Sequence, residues 1–70
     1  MIWFFERTGK YIRCETRETP DNAYELVITD ADGTERVERF EDSASLVKRQ
    51  VEIELDLTSD GWTGPHGRVV

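Results

Sequence analysis

A single cysteine, Cys14, is all that this 70-residue chain contains, so no internal disulfide can staple it. His66 is its only histidine, and no cluster of Cys and His carries the spacing of a structural zinc site. A chain of this length is near the size at which one hydrophobic core barely suffices, so packing or association must supply its stability. Basic residues are scarce as well: nine Lys and Arg stand against fifteen Asp and Glu, a net charge of -6. Such a field repels phosphate backbones and anionic membranes, which makes nucleic acid a poor default partner. Long apolar runs are missing too. Residues 2–5 form the N-terminal one; no basic segment precedes it and it stops at Glu6, which fits neither a signal peptide nor a membrane span. The expectation is a soluble cytoplasmic protein. Gly-rich phosphate loops, a nucleophile elbow and sequence repeats are likewise absent, so no cofactor and no small-molecule substrate is expected.

What is present begins with Ile2, Trp3, Phe4 and Phe5 in a row, which in a strand puts bulky apolar groups on both faces at once. So short a chain cannot easily cover both faces, and the mismatch points to a second surface, its own or another protein's.

Turn signals at Thr8-Gly9, over 18–22 around Pro20, and at Asp30-Ala31-Asp32-Gly33 divide the first forty residues into four strands, near 2–7, 10–17, 23–29 and 34–40. The third turn is the most informative. D-x-D-G suits a type I turn with Gly33 in the left-handed position, which sets Asp30 opposite Thr34 and pairs Val27 with Val37, Glu25 with Arg39 and Tyr24 with Phe40. A two-residue loop at Thr8-Gly9 sets Phe5 opposite Ile12, Trp3 opposite Cys14 and Phe4 opposite Arg13. A five-residue loop over 18–22 sets Ile12 opposite Ile28, Cys14 opposite Leu26 and Thr16 opposite Tyr24. All three hairpins then share one apolar face made of Trp3, Phe5, Ile12, Cys14, Tyr24, Leu26, Ile28 and Phe40.

Asp42 or Ser43 supplies an N-cap for a helix over about 43–58, with Gly61 beyond its end. Val51, Ile53, Leu55 and Leu57 alternate with acidic residues, which is a strand pattern and makes a fifth strand over 51–57 the alternative. Helix is preferred because the meander needs a cover and no turn signal falls between 45 and 57. Wound helically, Leu46, Ile53 and Leu57 cluster, and Val47, Val51 and Leu55 form an adjacent cluster. The expected fold is therefore α+β: a four-stranded antiparallel meander with one C-terminal helix on one face, a single domain over 1–62. A flexible tail is expected over 63–70, with Trp62 folding back to close one end of the core.

The candidate interface is the opposite sheet face, where Phe4, Arg13, Val27 and Val37 fall in one row flanked by Ile2 and Tyr11. Scattered apolar surface residues are ordinary, but three separate turn counts converge on this row. Strand one or strand four would supply the free edges, the latter defended by Glu35, Arg36, Glu38 and Arg39. A protein partner or a symmetric homodimer would cover the face. The same face mixes Phe4 and Tyr11 with Arg13, Arg17 and Arg39, as single-strand nucleic-acid platforms do, yet Glu6, Glu15, Glu25 and Glu35 sit among them.

Catalytic and metal readings are weak. Asp30, Asp32, Thr34 and Glu41 mimic a calcium-loop count, but Glu35 stands where that loop needs glycine. Cys14, mid-strand on the apolar face, reads as an inert buried thiol, and His66 falls in the expected tail. Glu52, Glu54 and Asp56 read as a solvated helix face. The sequence therefore points to a small acidic interaction protein rather than an enzyme, with no catalytic, cofactor or metal residue.

Overall fold

The computed structural model describes residues 1–67. Strands β1 (Ile2–Arg7), β2 (Lys10–Glu18), β3 (Tyr24–Thr29) and β4 (Glu35–Phe40) lead into helix α1 (Ser43–Ser59) and a short fifth strand, β5 (Thr63–His66). All five strands belong to one antiparallel sheet in the order β4-β3-β2-β1-β5, and α1 covers one face of it. The expected α+β meander with a helical cover is what forms. The alternative of a strand over 51–57 is not, since that segment lies within α1.

The three hairpins show how local chemistry sets register. At the first, Thr8 (φ 53°) and Gly9 (φ 79°) are both left-handed, the geometry of a two-residue turn whose twist matches its strands. Trp3 accordingly pairs with Cys14 and Phe5 with Ile12. At the third, the Asp30 N–H donates to the Thr34 carbonyl at 2.8 Å and the Gly33 N–H to the Asp30 carbonyl at 2.9 Å, with Gly33 at φ 89°. Val27 pairs with Val37, and Tyr24 with Phe40, as the turn requires.

The second hairpin departs from expectation. Its turn repeats the geometry of the third: the Thr19 N–H donates to the Ala23 carbonyl at 2.9 Å and the Asn22 N–H to the Thr19 carbonyl at 3.1 Å, with Asn22 at φ 65°. Only Pro20, Asp21 and Asn22 lie inside the loop, because Pro20 suits the second position of a type I turn and Asn22 takes the left-handed place that Gly33 fills elsewhere. Cys14 therefore pairs with Ile28, Thr16 with Leu26 and Glu18 with Tyr24, a slip of two residues from the expected pairing. An even slip leaves every side chain on its own face.

The inner face is consequently the expected one. Trp3, Phe5, Ile12, Cys14, Leu26 and Ile28 are buried there with Leu46 and Ile53 of α1 and with Trp62, while Tyr24, Phe40 and Leu57 pack around them. Asp42 caps the helix by accepting the Ser45 N–H at 2.7 Å. The helix ends in a Schellman motif, in which the Gly61 N–H donates to the Thr58 carbonyl at 3.2 Å and the Trp62 N–H to the Leu57 carbonyl at 3.0 Å. That turn aims Trp62 back into the core, as expected. The Arg7 guanidinium lies 4.9 Å from the Trp62 ring centre and donates to Asp60 Oδ2 at 2.9 Å, which pins the helix end to β1.

The segment expected as the start of a tail is instead β5, which pairs Thr63 with Glu6 and His66 with Phe4 across a bulge. Pro65 reads as a breaker in sequence, but a proline lacking its N–H is tolerated on an edge strand, and β5 is an edge. Gly64 makes the docking possible: at φ +140° its missing Cβ would stand 2.8 Å from the Phe5 ring and 2.9 Å from the Phe4 carbonyl oxygen. The rest of the expected tail, 68–70, lies outside the described residues.

Candidate interaction surface

The outer face of the sheet carries Ile2, Phe4 and Glu6 from β1, Tyr11, Arg13, Glu15 and Arg17 from β2, Glu25, Val27 and Thr29 from β3, and Glu35, Val37 and Arg39 from β4. The two-residue slip at the second hairpin breaks the single row expected from the sequence. Phe4 and Arg13 are continued by Thr29 and Glu35, while Val27 and Val37 align with Glu15 and Ile2. Val27 is only 3 % exposed, because a central strand is shielded by the longer side chains of its neighbours, so it is no contact residue. Ile2, Tyr11, Arg13 and Val37 remain exposed, as does Phe4 at 37 %.

Phe4 is the centre of what remains. Its ring meets Tyr11 edge-on with centroids 5.7 Å apart and tilts against His66 at 5.2 Å. Beside it opens an apolar depression of about 430 Å³ lined by Ile2, Trp3, Phe4, Tyr11 and Arg13. His66 also touches the Thr63 hydroxyl at 3.1 Å, and that hydroxyl donates to the Glu6 carbonyl at 3.1 Å. The arrangement ties β5 to β1.

Charge on this face is neutralised locally. Arg13 lies 3.6 Å from Glu15 and Arg17 lies 3.6 Å from Glu25, so both cations already face carboxylates. Arg39 is held by Asp21 at 2.7 Å and by Glu41 at 3.2 Å. The Thr19 hydroxyl and then Arg39 keep the Asp21 carboxyl below its ordinary range.

With β5 laid along β1, the sheet edges among the described residues are β4 and β5, not β1. On the inner side of β4, Glu38 accepts two hydrogen bonds from Arg49 of α1, at 2.8 and 3.1 Å. This pairing lowers the Glu38 pKa against the opposing effect of burial. Sequence reasoning placed Val47, Val51 and Leu55 beside the core cluster, yet they form an exposed stripe on α1, with Leu55 61 % exposed. The helix has only one face against the sheet, and Leu46, Ile53 and Leu57 occupy it.

Among the described residues, no group of three or more His, Cys, Asp or Glu side chains gathers to hold a metal ion. Asp32, part of the calcium-like count, instead accepts the Thr34 N–H at 2.9 Å within the turn. Cys14 is buried in the core, and no helix among the described residues is long and apolar enough to cross a membrane. No family model, no curated protein and no solved structure matches the chain.

Proposed function

We propose that this is a small non-catalytic interaction protein that docks onto another protein surface through the outer sheet face, at the depression formed by Ile2, Phe4, Tyr11 and Arg13. The observation that carries this reading is an apolar depression that, Trp3 apart, is lined by residues outside the core that Phe5, Leu26, Ile28 and the helix already complete on the opposite face. The part of this surface that stays open in the free chain gains about 25 cal/mol for each Å² that a partner removes from water. Ring faces beside Arg13 also suit a single-stranded nucleic acid, but the Arg13–Glu15 and Arg17–Glu25 pairs and the net charge of -6 favour protein.

Phe4→Lys tests the reading. The variant should keep the wild-type circular dichroism, since Phe4 lies outside the core, and should lose partner recovered by the wild-type protein from extract. Equal recovery by both would remove the depression from the interface. Recovery that collapses steeply as salt rises would assign the face to nucleic acid instead.

A further inference from the structure

Strand β4 is an open edge of the sheet among the described residues, and the order of its charges is unusual. Reading Glu35-Arg36-Val37-Glu38-Arg39 backwards gives the same pattern with every charge reversed about Val37. An antiparallel copy of β4 laid against it with Val37 opposite Val37 therefore sets Glu35 opposite Arg39 and Arg36 opposite Glu38, each twice by symmetry. We propose that a second copy of this chain docks on the β4 edge in that register, fusing two five-stranded sheets into one of ten strands.

Hydrogen-bond geometry admits this register and excludes those displaced by an odd number of residues, and charge then selects among the rest. In an antiparallel ladder the backbone groups of successive residues point alternately to the two sides. The Asp30 N–H donates to the Thr34 carbonyl, so 34, 36, 38 and 40 turn their groups toward β3, and Glu35, Val37 and Arg39 turn theirs outward. The Val37-centred register matches these outward residues with one another, Val37 with Val37 and Glu35 with Arg39. Neighbouring registers fail. Moving the centre to Arg36 or Glu38 sets like charges face to face, and an odd shift brings outer-face residues beside inner-face ones. Glu35, Val37 and Arg39 are exposed; within the chain Arg39 already meets Asp21 and Glu41, Arg36 lies 3.5 Å from Asp30 and Glu38 meets Arg49, so the cross-edge pairs would be shared with these solvent-exposed and partly exposed partners. Alternating charge thus excludes unrelated edges while admitting this one.

Pairing at the β4 edge does not require the outer-face depression, and the two surfaces can be occupied together. A two-fold axis through the Val37 pair keeps both outer faces on the same side, which puts the two Phe4 depressions about seven strand spacings, roughly 34 Å, apart.

Sedimentation over a wide concentration range, with three variants, tests the proposal. The wild-type protein should pass from monomer to dimer as concentration rises. Glu35→Arg and Arg39→Glu should each weaken self-association by about tenfold or more, since two attractive pairs become repulsive. Mixing these two variants should restore a heterodimer, in which every pair is again opposite in charge. Val37→Pro should also abolish the dimer while preserving the fold, because the N–H that it removes points away from β3; circular dichroism checks folding for all three. A wild-type chain that stays monomeric, a dimer that survives Val37→Pro, or single variants that fail to complement when mixed would each overturn the proposal. A dimer lost in Phe4→Lys but intact in Val37→Pro would move self-association to the outer depression. Edge behaviour as expected, with partner recovery unchanged by Phe4→Lys, would overturn only the outer-face reading.

Discussion

Arg49 of α1 reaches across the inner side of the sheet edge and grips Glu38 of β4 through two hydrogen bonds, 2.8 and 3.1 Å long. Apolar contacts dominate where the helix meets the middle of the sheet, but at this edge an ion pair does the joining. Arg49→Met keeps the aliphatic stem and removes the charge, so the expected loss is about 0.5–1 kcal/mol, as for a partly exposed pair. Chemical denaturation of the variant and of Glu38→Gln measures it. If the two effects add fully in the double variant, the residues do not interact.

Acid should unfold the protein through a definable set of groups. Glu38 is held below its ordinary pKa by Arg49, Asp42 by the Ser45 N–H, Asp32 by the Thr34 N–H, and Asp21 by the Thr19 hydroxyl and Arg39. Each carboxylate is favoured in the fold, so its contribution is fully present above the unfolded pKa of about 4 and disappears as pH falls through the lower folded value. Thermal stability should therefore be level from neutrality to about pH 5 and decline below it. Asp42→Asn keeps an N-cap acceptor but cannot titrate. It should match the wild type at pH 7 and show a shallower acid decline, and an unaltered slope would remove Asp42 from the set.

Gly64 admits β5 to the sheet, since a Cβ there would meet the Phe5 ring at 2.8 Å and the Phe4 carbonyl at 2.9 Å. Gly64→Ala should release β5 without unfolding β1 to β4. Hydrogen exchange should then lose protection across the β5 amides, Pro65 having none, while the β2 and β3 amides keep theirs. Unchanged protection throughout would mean that the contact relaxes at no cost.

Thr8 occupies a left-handed conformation at φ 53°, which a β-branched residue adopts poorly. The turn geometry it sits in favours Asn-Gly above other pairs. Thr8→Asn should stabilise the domain by about 1 kcal/mol, read as a rise in the midpoint of thermal unfolding. A fall would mean that the threonine side chain contributes more than its backbone costs.

Most of the fold was legible because its signals are local. Asp30 to Gly33 set one hairpin and Thr8-Gly9 another, and alternation within each strand sorted the core. The second hairpin is not legible in the same way because Asn22 plays the part of glycine, so Thr19-Pro20-Asp21-Asn22 is the same turn as Asp30-Ala31-Asp32-Gly33 in different letters. The slip cost nothing in the core, where only face matters, but it divided the outer row, where neighbours matter. Val27 looked available because exposure depends on which long side chains stand beside it, a property that strand parity does not contain. β5 was hidden for a different reason: Thr63 meets Glu6 across 57 residues, and Gly64 and Pro65 resemble a break until the edge they occupy is known.

The placement of β5 beside β1 also sets an order of assembly. Since synthesis runs from the N-terminus, β1 to β4 can pair with their sequence neighbours as soon as each hairpin emerges, and α1 can follow. One side of β1 nevertheless waits for residues 63–66. The apolar strand β1 is thus made well before the strand that encloses one side of it, and the nascent chain carries an open strand beside Phe4 and Phe5 until residues 63–66 emerge.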